Sequence, residues 1–277
     1  MGLIKRQKKK SLRKKKTFPP LPSELKAELL RFFEIIQKTD TSSRIAVFDL
    51  DNTLLIGDIG EAAIAYLLGN EIDINFKWSE YKEMIANGKE LEAYKLASLS
   101  FKGMEDGCVR RFADVVLNMK EDFITFFEDD YVFKVSVPRI NPHMKTIINM
   151  LKKNRFKIYV ISSSNQYLVE TAAARFGLPR KNCFGIKHKL KKFDNVRVLS
   201  DEIIVPLPFA EGKVEIYKEE IGKLPPLFAA GDSITDINLL SLTSSDGFIL
   251  WCGDDDLSDI EKNKLKAGKY VFYHSLF

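Results

Sequence analysis

Six polar side chains that could bind a metal, a proton or an anion lie in four short segments of the chain. They are Asp49, Asp51, Ser162, Lys213, Asp232 and Asp236. Four carboxylates that converge repel one another unless a cation or a charged substrate compensates them. Their oxygen atoms favour a hard metal ion, and Mg²⁺ is the usual choice beside a phosphate group. The residue types therefore predict a site for a hard metal ion, with Mg²⁺ as the first candidate.

Strand-like and helix-like segments alternate along most of the chain, and they predict where these side chains lie. Asp49, Ser162 and Asp232 come at the ends of short apolar runs, and Lys213 stands in the first turn of a predicted helix. This alternation predicts an α/β fold with a doubly wound parallel sheet. Ligands of such sheets bind outside the carboxyl ends of the strands, so we expect the side chains to meet there.

A long insertion interrupts the alternation after the first strand. Residues 58–135 show no convincing pair of strands and read as several helices. The sequence therefore predicts a helical cap domain at residues 58–137. The catalytic core then comprises residues 23–57 and 138–277.

The first 22 residues form a basic arm. They hold nine of the 43 basic side chains and no acidic one, so the rest of the chain has more acidic than basic residues. Like charges at this density repel and cannot form a core, which predicts disorder. The arm is interpreted as a solubilising tail or as a weak contact for an anionic membrane or a nucleic acid.

The four segments together resemble the motifs of the haloacid dehalogenase-like hydrolases. Residues 48–54, Phe-Asp-Leu-Asp-Asn-Thr-Leu, are similar to the DxDxT signature of that family. Ser162, Lys213 and the pair Asp232 and Asp236 match the other three motifs in order. The insertion resembles the helical cap of the phosphoserine phosphatase-like branch. Residues 58–61 and 158–162 also look similar to bacterial phosphorylcholine phosphatases.

The resemblance implies a phosphatase that uses two aspartates in succession. Asp49 would attack phosphorus and form an aspartyl-phosphate, which divides hydrolysis into two easier steps. Asp51 would protonate the leaving oxygen and then deprotonate the attacking water.

The resemblance also implies which residues bind Mg²⁺ and phosphate. The Asp49 carboxylate, the Asp51 backbone carbonyl and Asp232 would hold Mg²⁺, and Asp236 would support it directly or through water. The phosphate group would be bound by the Lys213 ammonium and the Ser162 hydroxyl, and by backbone N–H groups near Asn52 and Ser163.

Substrate choice is assigned to the cap. Asp58 stands where the phosphoserine enzymes bind the substrate ammonium group, although it is also placed to cap the first cap helix, and Glu61 would share its helical face. Lys95 stands near the place of the arginine expected for a substrate carboxylate. The absence of that arginine favours an amino-alcohol phosphate, such as phosphocholine or phosphoethanolamine, over phosphoserine. Trp78, Tyr81 and Tyr94 would either form an aromatic face for a quaternary ammonium or pack the cap core.

Three functions stay open at this level. A phosphatase acting on a small phosphorylated metabolite is favoured, a phosphotransferase with the same intermediate is the alternative, and a polyanion binder without activity ranks last. Three widely spaced cysteines and no apolar run of about 20 residues predict a cytoplasmic protein.

Overall fold

A sheet of six parallel strands forms the centre of the computed structural model, which describes residues 20–253, 257–265 and 270–273. The strand order is β12-β11-β10-β1-β6-β7. The strands of the chain are β1 Ile45–Phe48, β2 Leu55–Ile56, β3 Phe123–Glu128, β4 Tyr131–Ser136, β5 Arg139–Ile140, β6 Lys157–Asn165, β7 Cys183–Ile186, β8 His188–Phe193, β9 Val196–Ile203, β10 Phe228–Gly231, β11 Phe248–Trp251 and β12 Tyr270–Tyr273. The sequence prediction for residues 1–19 of the basic arm lies outside the described residues.

Helices cover both faces of this sheet, so the predicted doubly wound α/β fold is confirmed. The helices are α1 Ser23–Ile36, α2 Ile59–Gly69, α3 Trp78–Ala86, α4 Glu90–Leu99, α5 Asp106–Val116, α6 Pro142–Lys153, α7 Gln166–Ala174, α8 Glu211–Ile216, α9 Ile237–Leu240 and α10 Asp259–Leu265. Helices α1, α6 and α7 pack on one face, and α8, α9 and α10 pack on the other. Alternate residues of β1 enter the two cores, because successive side chains of a strand point to opposite faces.

The strand order changes direction beside β1. The chain proceeds from β1 to β6 and β7 on one side, and it then returns to place β10 on the other side of β1. This reversal leaves a crevice at the carboxyl ends of β1 and β10, where sheets of this kind bind their ligands.

The cap contains a β-hairpin in addition to its helices, so the prediction that residues 58–135 lack a strand pair is wrong. Strands β3 and β4 pair antiparallel, with Ile124 and Phe126 buried against the cap helices. Phe123 and Phe127 on the outward face are apolar as well. The alternation that normally marks a strand with one buried face is therefore hidden in the sequence.

Cap and core are joined at several places. At the two ends of the insertion, Leu55 pairs with Ile140 across the antiparallel strands β2 and β5. The Gly103 N–H donates to the Leu199 carbonyl at 2.9 Å, which ties the cap to the core hairpin β8–β9. Within the described residues, no helix is long and apolar enough to cross a membrane.

Aromatic rings of α1 pack against aromatic rings of the sheet, and this packing should contribute to the stability of the fold. Phe32 is fully buried, with its ring centroid 6.3 Å from that of Phe228 and 5.6 Å from that of Phe248. We expect Phe32→Ala to lower the free energy of unfolding by about 3–5 kcal/mol, because it leaves a cavity between helix and sheet. Chemical denaturation measures this loss. Phe127→Ala, at an exposed ring, is the control and should change the free energy by less than about 0.5 kcal/mol; equal losses in the two variants would contradict the prediction.

Candidate active site

The predicted side chains meet at the crevice beside β1. Asp49 directly follows β1, Asp232 directly follows the neighbouring β10, and Lys213 lies in α8. Ser162 lies near the end of β6, which continues through Asn165 with an irregular pairing to β7. These elements bring together residues that are up to 183 positions apart in the sequence, from Asp49 to Asp232.

Lys213 forms the centre of the charge arrangement. Its Nζ donates to Asp49 Oδ1 and to Asp236 Oδ1, each at 2.6 Å, and the side chain is only 2% exposed. Burial opposes the charged lysine, but the two carboxylates outweigh burial and raise the pKa of Lys213. The lysine therefore stays protonated and neutralises part of the acidic cluster.

The nucleophile candidate is buried among other acids. Burial raises the pKa of Asp49 well above its usual value; Lys213 opposes this shift, and the Asp236 charge adds to it. Burial, followed by the Asp236 charge, raises the pKa of Asp232 to about 7. The Thr53 hydroxyl donates to Asp232 Oδ1 at 2.8 Å and fixes the orientation of that carboxylate.

Three of the carboxylates fit a hard metal ion. One oxygen from each of Asp49, Asp232 and Asp236 lies within 4.8 Å of the others. All donors are oxygen atoms, and their excess negative charge is what a divalent cation would offset. The residues therefore fit Mg²⁺.

Asp51 lies outside this cluster and has a different environment. Its Oδ1 accepts the Ile59 N–H at 2.8 Å, and its Oδ2 accepts the hydroxyls of Ser164 at 2.7 Å and Ser162 at 3.1 Å. Burial raises the pKa of Asp51, while these hydrogen bonds lower it. The Asp51 side chain is thus turned toward hydroxyl groups, whereas the Asp49 side chain is held by Lys213.

Asp49, Asp51 and Asp232 all line a small cavity of about 70 Å³. Its lining includes the predicted phosphate-binding residues Asn52, Ser162, Ser163 and Lys213. The Ser163 hydroxyl donates to the Pro208 carbonyl at 2.8 Å. The Asn52 N–H donates to the Gly57 carbonyl at 3.2 Å, which closes the loop after β1.

The cap closes the other end of the site. Asp58 caps α2, because its Oδ1 accepts the Glu61 N–H at 2.7 Å, and it also lines the cavity. Burial, followed by the charges of Asp51 and Glu61, raises the pKa of Asp58 well above its usual value. Glu61 Oε1 accepts from the Tyr81 hydroxyl at 3.1 Å and lies 3.3 Å from Lys82 Nζ.

A second space of about 20 Å³ continues from the first toward the cap. It shares Asp58, Tyr94, Ser163 and Ser164 with the first and adds Glu61 and Tyr81. Tyr94 and Tyr81, two of the three aromatic residues considered for a quaternary ammonium, therefore line this space, and Tyr94 lines the first cavity as well.

Two of the considered cap residues do not enter the site. Lys95 is exposed and lines neither cavity. Trp78 is buried against Phe126, with ring centroids 5.3 Å apart, so it packs the cap core.

A wider cavity of about 740 Å³ lies elsewhere, along α7, β7 and β8. None of the six motif side chains lines it. The smaller cavity is therefore the candidate active site, because the motif side chains converge there.

Comparison with known proteins identifies the family of this chain. The family model for haloacid dehalogenase-like hydrolases matches residues 46–241, which is most of the chain and includes all six motif residues. The chain belongs to this family. The family predicted from the sequence motifs is thereby confirmed, and the protein is an enzyme of the hydrolase class.

A curated relative and two solved structures are also similar to this hydrolase. Phosphorylcholine phosphatase of Pseudomonas aeruginosa is 24% identical over 183 residues, which cover 57% of this chain and 52% of the relative. The chain thus spans about half the length of that protein. A protein of unknown function from Anaerococcus prevotii has a TM-score of 0.62 at 16% identity, covering 90% of this chain and 91% of the other. A hydrolase of the same family from Salmonella enterica serovar Typhi has a TM-score of 0.53 at 18% identity, covering 91% and 77%. The family model thus shows the hydrolase family, and the two solved structures show the fold.

The raised pKa of Asp232 predicts a pH-dependent stability of the metal-free enzyme. Its carboxyl titrates near 7 in the folded state against an ordinary value of 3.8, so the folded state binds more protons than the unfolded chain between these pH values. Stability should therefore fall as pH rises through this window. Thermal unfolding with a chelator measures the slope, which Asp232→Asn should reduce because its amide cannot ionise.

Added Mg²⁺ provides the control for this prediction. At pH 7 it should raise the melting temperature of the native chain, since a ligand that binds only the folded state stabilises it. The gain should be smaller in Asp232→Asn. If the native chain and Asp232→Asn showed the same pH slope and the same Mg²⁺ effect, Asp232 would not be the titrating group or a metal ligand.

Proposed function

We propose that this enzyme is a Mg²⁺-dependent phosphatase that uses Asp49 as a covalent nucleophile. The observation that carries the proposal is the contrast between two aspartates at the same cavity. Asp49 is held 2.6 Å from a buried ammonium, whereas Asp51 is held by hydroxyl and backbone donors. Different environments suit two carboxylates to different roles.

The chemistry proceeds in two balanced steps. An Asp49 oxygen forms a bond to phosphorus, the ester P–O bond breaks, and a proton passes from Asp51 to the departing oxygen. Asp51 then takes a proton from water, the water oxygen bonds to phosphorus, and the bond to Asp49 breaks. Lys213 and Ser162 bind the phosphate oxygens throughout.

The acidic cluster defines the proposed metal ligands. Asp49, Asp232 and Asp236, with the Asp51 backbone carbonyl, would hold Mg²⁺. The ion would supply the positive charge that allows an anionic carboxylate to approach an anionic phosphate.

Phosphate release with and without Mg²⁺ tests this proposal. We expect Asp49→Asn to lower kcat by a factor of about 10³ or more, because the amide is a poor nucleophile. Asp201→Asn, at an exposed position paired with Lys102, is the matched control and should keep native activity. Native turnover in Asp49→Asn, with the protein folded, would contradict the nucleophile.

The cap end of the site favours a small substrate with a positive charge. Among the residues that line the 20 Å³ space, Asp58 and Glu61 are acidic and none is lysine or arginine. Glu61 already lies 3.3 Å from Lys82 Nζ, so Asp58 is the carboxylate that a substrate ammonium group would compensate, whereas a substrate carboxylate would meet like charge. The similarity to a phosphorylcholine phosphatase supports the same class. We therefore propose an amino-alcohol phosphate, such as phosphocholine or phosphoethanolamine, and rank phosphoserine below it.

Asp58→Asn tests this substrate class while it preserves the helix cap, because asparagine is as good a capping residue as aspartate. We expect kcat/KM for phosphoethanolamine and phosphocholine to fall about tenfold or more, as a charged hydrogen bond or ion contact is lost. Glycerol phosphate, which has no ammonium group, is the control substrate and should lose little. Equal losses for the charged and uncharged substrates would exclude Asp58 as the ammonium-binding residue.

A further inference from the structure

Asp51 has a hydroxyl partner to which the proposed mechanism assigns no role. We propose that Ser164 is a positioning residue that holds Asp51 in place for proton transfer while Ser162 is engaged with phosphate. The inference rests on the phosphatase function proposed above. It concerns only how the acid–base group is held.

The two serines differ in the length of their hydrogen bonds to Asp51. Oδ2 accepts from Ser164 at 2.7 Å and from Ser162 at 3.1 Å, so the Ser164 contact is the shorter. Among the residues that the structure describes, the one donor to Oδ1 is the backbone N–H of Ile59, at 2.8 Å. Ile59 and Ser164 therefore fix one carboxylate oxygen each, which defines the plane of the carboxyl group.

The two serine hydroxyls must have different partners when phosphate is bound. A serine hydroxyl has one proton to donate. When Ser162 donates this proton to a phosphate oxygen, it cannot donate it to Asp51 at the same time. Ser164 then keeps its bond to Oδ2, and the position that Ser162 vacates on Oδ2 becomes available for the transferred proton.

The location of Ser164 suits this role. Ser164 lines both the 70 Å³ phosphate-side cavity and the 20 Å³ cap-side space, so it lies at the boundary between them. A Cβ atom on Gly60 would lie 3.1 Å from the Ser164 hydroxyl, closer than most such contacts. The glycine in α2 thus leaves room for the hydroxyl beside Asp51.

Leaving-group dependence distinguishes positioning from a merely structural role. Ethyl phosphate needs a proton on its departing oxygen, whereas trifluoroethyl phosphate, of similar size, releases a much more acidic alcohol and needs it less. We expect Ser164→Ala to lower kcat/KM for ethyl phosphate about tenfold to a hundredfold, and that for trifluoroethyl phosphate less than about threefold. Both esters are measured on one preparation, so any loss of folded protein cancels in their ratio.

The neighbouring serine supplies the matched control. Ser163→Ala removes a hydroxyl that bonds to Pro208 and not to Asp51, so any loss should affect both esters alike. Equal losses for the two esters in Ser164→Ala, or no loss in either, would overturn the inference and leave the phosphatase intact. A native protein that releases phosphate from no ester, or an Asp49→Asn variant that retains full turnover, would overturn the proposed function and this inference with it.

Discussion

The contact of Lys213 with Asp49 and Asp236 is the interaction on which the rest of the site depends. An uncompensated buried carboxylate costs several kcal/mol, so this acidic crevice requires an internal cation. Two glycines allow close packing beside this site. A Cβ on Gly231 would lie 2.7 Å from the Asp236 side chain, and one on Gly212 would clash with the Leu207 carbonyl oxygen. One lysine only partly balances the surrounding acids, which leaves the cavity suited to a further cation.

The same constraint separates the two central aspartates. They are two residues apart on one loop, yet of these two aspartates it is Asp49 that contacts Lys213. Asp51 is directed toward the serines of β6, whose pairing becomes irregular where these serines occur. In the proposed mechanism, strand β6 would then contribute to proton transfer as well as to phosphate binding, through side chains of its irregular segment.

The core and its motif residues could be predicted because each apolar run ends at a polar side chain, and parallel strands bring such ends to one edge. The cap could be predicted less well. Outward-facing Phe123 and Phe127 hid the alternation of the hairpin. Tyr94 reaches the cavity whereas its neighbour Lys95 is exposed, because consecutive helical residues face different directions and only packing decides which faces inward. The contact of Ser164 with Asp51 depends on the irregular pairing of β6, which no local pattern specifies.

The pairing of β2 with β5 has an evolutionary consequence. The insertion leaves the core and returns to it through two adjacent strands, which pair at Leu55 and Ile140. A segment attached in this way can lengthen, shorten or be exchanged without displacing the strands that carry the motifs. Selection can then change the cap residues that face the substrate while the strands that carry the motifs keep their positions.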